Sequence, residues 1–167
     1  PGSSTLAAAT HLFRKLPFDP IKDFTPVTTV AKLSFAFAVE ASRPINNLAE
    51  LKDYLKKKPG EGAYGTGSNT GQAAAELFKE MAGLKTQNIN YKVTGDALRD
   101  LLSGQLDFIS YDITFLSGQH RGGKVKVIAM TSSGRVGAMP DIPTVAEQGY
   151  PGCDLTPWWG VVVPAGR

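Results

Sequence analysis

Cysteine and histidine are nearly missing from this chain: Cys153 stands alone, and His11 and His120 are the only imidazoles. A lone cysteine excludes an intrachain disulfide. Two distant histidines, with no ligand-type neighbours at short spacing, argue against a metal site, so neither metal nor cofactor is expected. No run of about 18 apolar residues occurs that could cross a membrane as a helix. A secretory leader pattern is also missing, and the chain opens at Pro1 without a methionine, which reads as a processed or truncated product. Charge of one sign is scarce as well: 18 Lys and Arg face 15 Asp and Glu, for a net charge of +3. No basic stripe alternates with aromatics, so no nucleic-acid partner is expected. The short run Lys56-Lys57-Lys58 before Pro59 reads as the solvated carboxyl end of a helix, where cations suit the dipole. The signatures of familiar catalysts fail too. The glycines at 65, 67 and 71 miss the dinucleotide spacing by one residue, no Gly-Lys-Ser/Thr follows, and Ser68 lies between Thr66 and Thr70 rather than in a nucleophile elbow.

What is present is an ordinary globular composition, 42% hydrophobic and 20% charged, with strands and helices in alternation. The first helix is expected over 4–15. The apolar run 33–39 predicts a buried strand. A helix follows from Leu48 to the Pro59-Gly60 stop, with Asn47 as its cap, Glu50 three residues on, and Leu48, Leu51 and Leu55 along one face. The pattern then predicts strand 62–65, loop 66–71 and helix 72–81, and repeats as strand 88–91, loop 92–95 and helix 96–102. Strand 106–111 leads to a short helix over 116–120. The clearest alternation is 124–131, where Val125, Val127 and Ala129 oppose Lys126, Ile128 and Met130. A short helix at 145–148 and a last strand at 159–163 complete the reading. Such alternation predicts an α/β architecture with a largely parallel sheet, and ligands then bind beyond the carboxyl ends of the strands.

That rule directs attention to Thr66-Gly67-Ser68-Asn69-Thr70-Gly71, rich in hydroxyls and free backbone N–H groups and opening a helix. A helix amino terminus favours an anion by about 0.3–1 kcal/mol, and each charge-assisted hydrogen bond adds about 1.5–3 kcal/mol. A carboxylate or phosphate is the natural guest; the bland reading is a turn rich in turn-forming residues. Asp107 and Asp112 flank a strand, but five positions apart they stand at its opposite ends, so they cannot act as an acid–base pair. Asp112, at the carboxyl end, either accepts a donor from a ligand or caps the following segment. His11 and His120 read as exposed surface residues and Cys153 as a partly buried apolar one. Of Trp158 and Trp159, adjacent on a strand, at most one lines a cleft.

An ordered set of stretches then carries a family resemblance. It includes Lys15-Leu16-Pro17-Phe18-Asp19-Pro20-Ile21-Lys22-Asp23-Phe24-Thr25-Pro26, Glu76-Leu77-Phe78 with Met81-Ala82-Gly83, and Asn90-Tyr91-Lys92. It continues with Ala97-Leu98-Arg99-Asp100-Leu101-Leu102-Ser103-Gly104-Gln105-Leu106-Asp107, Pro140-Asp141-Ile142-Pro143-Thr144-Val145-Ala146-Glu147-Gln148-Gly149-Tyr150 and Trp159-Gly160. In order and spacing these resemble the substrate-binding proteins of tripartite tricarboxylate transporters, the Bug-type extracytoplasmic receptors. Gln72 and Ala73 stand where such proteins usually carry His-Leu, and Val93 where they carry glycine.

The resemblance implies a type II periplasmic-binding fold, mainly its second lobe with parts of the first, truncated at both ends. Residues 1–40 would be a first-lobe remnant with a crossing strand, 41–155 the second lobe, and 156–167 the returning strand. It implies a periplasmic, non-enzymatic receptor that captures a small mono- or dicarboxylate and delivers it to membrane permease subunits. The ligand contacts implied are Ser3, Ser4 and Thr5, then Thr66, Gly67, Ser68, Asn69, Thr70 and Gly71, with Tyr91 and Asp112. Strand edges left unpaired in a truncated chain would favour self-association. The competing readings are an α/β enzyme acting on an anionic metabolite, which lacks a nucleophile–base pair here, and an interaction module that has lost its ligand.

Overall fold

The computed structural model describes residues 2–3 and 17–166, with side chains from residue 17 on. In chain order the strands are β1 (Gly2–Ser3), β2 (Phe24–Lys32), β3 (Phe35–Glu40), β4 (Ala63–Thr66), β5 (Gln87–Asn90), β6 (Phe108–Asp112), β7 (Val125–Met130) and β8 (Trp158–Pro164). The helices are α1 (Leu48–Lys56), α2 (Asn69–Ala82), α3 (Thr94–Leu102) and α4 (Ile113–Arg121). The expected helix over 4–15 and His11 lie outside the described residues. The chain divides into two compact units, one from the segments before residue 34 and after residue 156, the other Ser34–Thr156.

The first unit is a three-stranded antiparallel sheet in the order β1-β8-β2. β2 has no counterpart in the sequence reading. Its residues are almost all exposed, so no apolar alternation marks it, and Pro26 is a poor strand residue. The structure accommodates Pro26 because β2 is an edge strand and its register with β8 shifts between Pro26 and Thr28.

The second unit is a five-stranded sheet in the order β5-β4-β6-β3-β7. Strands β5, β4 and β6 run parallel, but β3 is antiparallel to both β6 and β7, so the sheet is mixed rather than largely parallel. The segment 35–40, expected with the first piece, is therefore a strand inside this sheet. Helices cover both faces, which is why the central strands β3 and β6 are buried on both sides. One face packs Phe37, Val39, Tyr64 and Phe108 with Leu48, Leu51 and Leu55 of α1 and Phe78 of α2. Aromatic rings fill its centre: Tyr64 stacks on Phe108 with centroids 5.1 Å apart, and Phe37 meets Phe108 edge-on at 5.7 Å. The other face packs Ala36, Ala38, Ile109, Val125 and Val127 with Leu101 of α3 and Leu116 of α4.

Local signals placed α1 well: Asn47 accepts the Glu50 N–H at 2.8 Å. Two expectations fail for identifiable reasons. Strand β7 does not alternate throughout, because its register with β3 shifts between Phe37 and Ala38; Ile128 and Ala129 both turn to the first face while Met130 returns to the second. No helix forms over 145–148. Thr144 and Glu147 make the reciprocal bonds of a capping box, at 2.7 and 3.1 Å, but Gly149 at φ +94° ends the turn before it can propagate. His120, expected exposed, is half-buried, its Nδ1 accepting the Val127 N–H at 3.4 Å. Cys153 is fully buried, and burial pushes its thiol up to about 11.

Candidate functional site

Three parallel strands end side by side at one edge of the second unit's sheet, and each feeds a helix. β4 ends at Thr66 and α2 starts at Asn69; β5 ends at Asn90 and α3 starts at Thr94; β6 ends at Asp112 and α4 starts at Ile113. Three helix amino termini, each carrying partial positive charge, therefore gather at this edge. Ser34 and Ser132 stand at the same edge, beside the start of β3 and the end of β7. Their hydroxyls lie 3.0 Å apart, and Ser132 donates to the Gly134 carbonyl at 2.8 Å.

The three termini are not equivalent. In α2, Ser68 caps the helix by accepting the Gly71 N–H at 3.2 Å, and no acidic residue occupies the first turn. The Asn69 and Thr70 N–H groups belong to that first turn, beyond the reach of intrahelical acceptors. In α3 the cap position is Val93, which makes no side-chain capping bond, and the first turn carries Asp96, ion-paired to Arg99 at 3.2 Å. In α4 the Asp112 carboxylate is itself the cap, accepting the Phe115 N–H at 3.0 Å and the Thr114 hydroxyl. The seat most open to an anion is thus the start of α2.

Helix α2 begins three residues earlier than expected, because Ser68 is a good cap. Asn69, Thr70 and Gly71 are its first turn rather than loop. Thr66 is fully buried, with its hydroxyl 3.3 Å from the Asn88 side-chain oxygen. The Tyr91 backbone N–H donates to the Thr66 carbonyl at 2.7 Å, and its hydroxyl donates to Asp100 at 2.8 Å. The hydroxyls of Thr66 and Tyr91 are therefore committed inside the protein. Gly67, Ser68, Asn69 and Thr70 stand together at the edge. Ser3 pairs with Trp159 in the first unit, and Ser4 and Thr5 lie outside the described residues.

The sequence reading missed Tyr111. It is the penultimate residue of β6, only 4% exposed, and its hydroxyl has no hydrogen-bond partner among the described residues. A Cβ placed on Gly67 would stand 2.9 Å from that hydroxyl, so the phenol lies directly beside the first residue past β4. Burial, and then the neighbouring Tyr91, push the Tyr111 hydroxyl up to about 12. The signal that could have found it is its position, one residue from the carboxyl end of a strand that feeds a helix. Among the described residues, no group of three or more His, Cys, Asp and Glu side chains could hold a metal.

The family model described as tripartite tricarboxylate transporter family receptor matches residues 1–167. The chain belongs to this family. It is a family of extracytoplasmic solute-binding receptors rather than enzymes. The receptor chain is 30% identical over 166 residues to protein BugT of Bordetella pertussis, strain Tohama I, covering 98% of the chain and 51% of that protein. Among solved structures it is similar to R. palustris Rpa4515 with adipate, at TM-score 0.84 and 31% identity, covering 99% of this chain and 56% of that one. It is also similar to MatC from Rhodopseudomonas palustris with bound malate, at TM-score 0.80 and 30% identity, with 99% and 56% covered. The chain spans about half the length of the curated relatives it matches. Its fold is the α/β fold of these periplasmic binding proteins. No helix among the described residues is long and apolar enough to cross a membrane.

Proposed function

We propose that this chain belongs to a periplasmic receptor that captures a small mono- or dicarboxylate and delivers it to the membrane permease of a tripartite tricarboxylate transporter. The observation that carries the reading is the gathering of three helix amino termini at one sheet edge, with the start of α2 free of acidic residues. Gly67, Ser68, Asn69 and Thr70 supply backbone N–H groups and hydroxyls there, and Lys92 stands in the turn that enters α3. Such a seat holds an anion with oriented neutral dipoles. Dipoles grip a carboxylate without the tight ion pair that would slow release, and release is what a delivery protein requires. The adipate and malate bound by two similar proteins support a carboxylate as guest.

Titration calorimetry of the encoded protein against adipate, malate, succinate and benzoate, with arginine as a cationic control, tests the proposal. At least one acid should bind and be recovered chemically unchanged, and arginine should not bind. Failure of every acid to bind, or conversion of a bound acid, would overturn it.

A further inference from the structure

We infer that the Tyr111 hydroxyl is a buried hydrogen-bond donor to the carboxylate seated at the start of α2, an inference that rests on the carboxylate reading above. Tyr111 is 4% exposed, and its hydroxyl oxygen is buried with no partner among the described residues. Buried polar groups are almost always paired, so an unpaired phenol in a packed core calls for a reason.

Packing does not supply that reason. The Tyr111 ring meets the Phe115 ring with centroids 5.8 Å apart, a contact phenylalanine would make equally well. The neighbouring phenol has its own partner, since Tyr91 donates to Asp100 at 2.8 Å. What distinguishes Tyr111 is its place: a Cβ on Gly67 would stand 2.9 Å from its hydroxyl and 2.9 Å from its ring edge. The hydroxyl therefore lies beside the residue that joins β4 to the cap of α2, where first-turn N–H groups point outward. Gly67 is exposed and carries no side chain, so the hydroxyl lies next to the surface at the site edge. The phenol stays protonated across the physiological range, because burial disfavours its ionised form. It can thus donate to a charged carboxylate throughout that range.

The test is Tyr111→Phe in the encoded protein, titrated with adipate and malate, with melting temperature and ultraviolet tyrosine difference spectra recorded alongside. The expected result is an affinity loss of roughly tenfold for acids that bind the wild type, the size of one lost hydrogen bond to a charged group. The melting temperature should hold or rise, since an unpaired buried hydroxyl is removed. Acid binding to the wild type should produce a tyrosine difference spectrum that Tyr111→Phe lacks. Unchanged affinity in the variant overturns this inference alone. If the variant melts lower, the spectrum decides: no wild-type tyrosine signal on acid binding also overturns it. A wild type that binds neither these acids nor the rest of the panel overturns the carboxylate reading, and this inference with it.

Discussion

Asp107 lies at the amino end of β6, away from the candidate site, with its side chain 2% exposed. One carboxylate oxygen accepts Arg43 at 2.9 Å and Lys58 at 2.6 Å, and the other accepts the Ala63 N–H at 3.0 Å. Burial pushes its carboxyl up, but Lys58, the Ala63 N–H and Arg43 outweigh burial and hold it below the usual range. A carboxylate with a depressed folded-state value stabilises the fold above its unfolded value, near pH 4, and loses that contribution as pH falls through the folded value. Asp107→Asn leaves two cations without their partner and should cost about 3–5 kcal/mol. Thermal melts should show a clear drop at pH 7 and a flatter acid arm than the wild type. Asp112 is the contrasting residue. Asparagine caps helices as well as aspartate does, so Asp112→Asn should barely move the melting temperature. It removes a negative charge from the site edge, so the ranking of acids in calorimetry should change. A uniform factor for all acids would leave Asp112 a structural role only.

At the scale of the element, α2 joins stability and binding through its cap. Ser68→Ala loses the bond to the Gly71 N–H and should cost about 1 kcal/mol, so it melts lower whether or not it binds less. Ser68→Asp separates the two roles. Aspartate caps as well as serine, but it places a fixed charge where the guest carboxylate is proposed to sit. Its melting temperature should match or exceed the wild type, while acid binding falls at least tenfold. Acid affinity equal to the wild type would remove the start of α2 from the site. Element type was legible where local chemistry decides it: Asn47 and Glu50 set the start of α1, and Gly83, left-handed at φ 64°, ends α2. Element type was obscure where neighbours decide it, as in β2, whose exposed residues form a strand only by pairing with β8.

At the scale of the whole molecule, Ser34–Thr156 contains both layers of side chains that sandwich the five-stranded sheet. A unit with its own two-sided core meets the requirement for independent folding. Residues 34–156 expressed alone should unfold cooperatively, with coincident circular dichroism and tryptophan-free tyrosine fluorescence transitions, since both tryptophans lie outside this segment. Non-coincident transitions, or dispersed amide signals missing from a two-dimensional spectrum, would show that the segment depends on the rest of the chain.

The sequence by itself determined the α/β class, most strand and helix positions in the second unit, the donor-rich segment 66–71 and the family. These follow from short-range causes: caps, glycine stops, apolar periodicity and an ordered set of local stretches. Tertiary structure decided the rest. The reversed direction of β3 between β6 and β7 depends on how distant segments pair, which no local pattern records. The inward turn of the Thr66 hydroxyl depends on β5 alongside, and the use of Tyr91 on Asp100 of α3. Tyr111 became a candidate only when β6 was laid beside β4 and its phenol came to rest at Gly67. Sequence carries the chemistry of each residue, while the sheet order decides which of those residues meet.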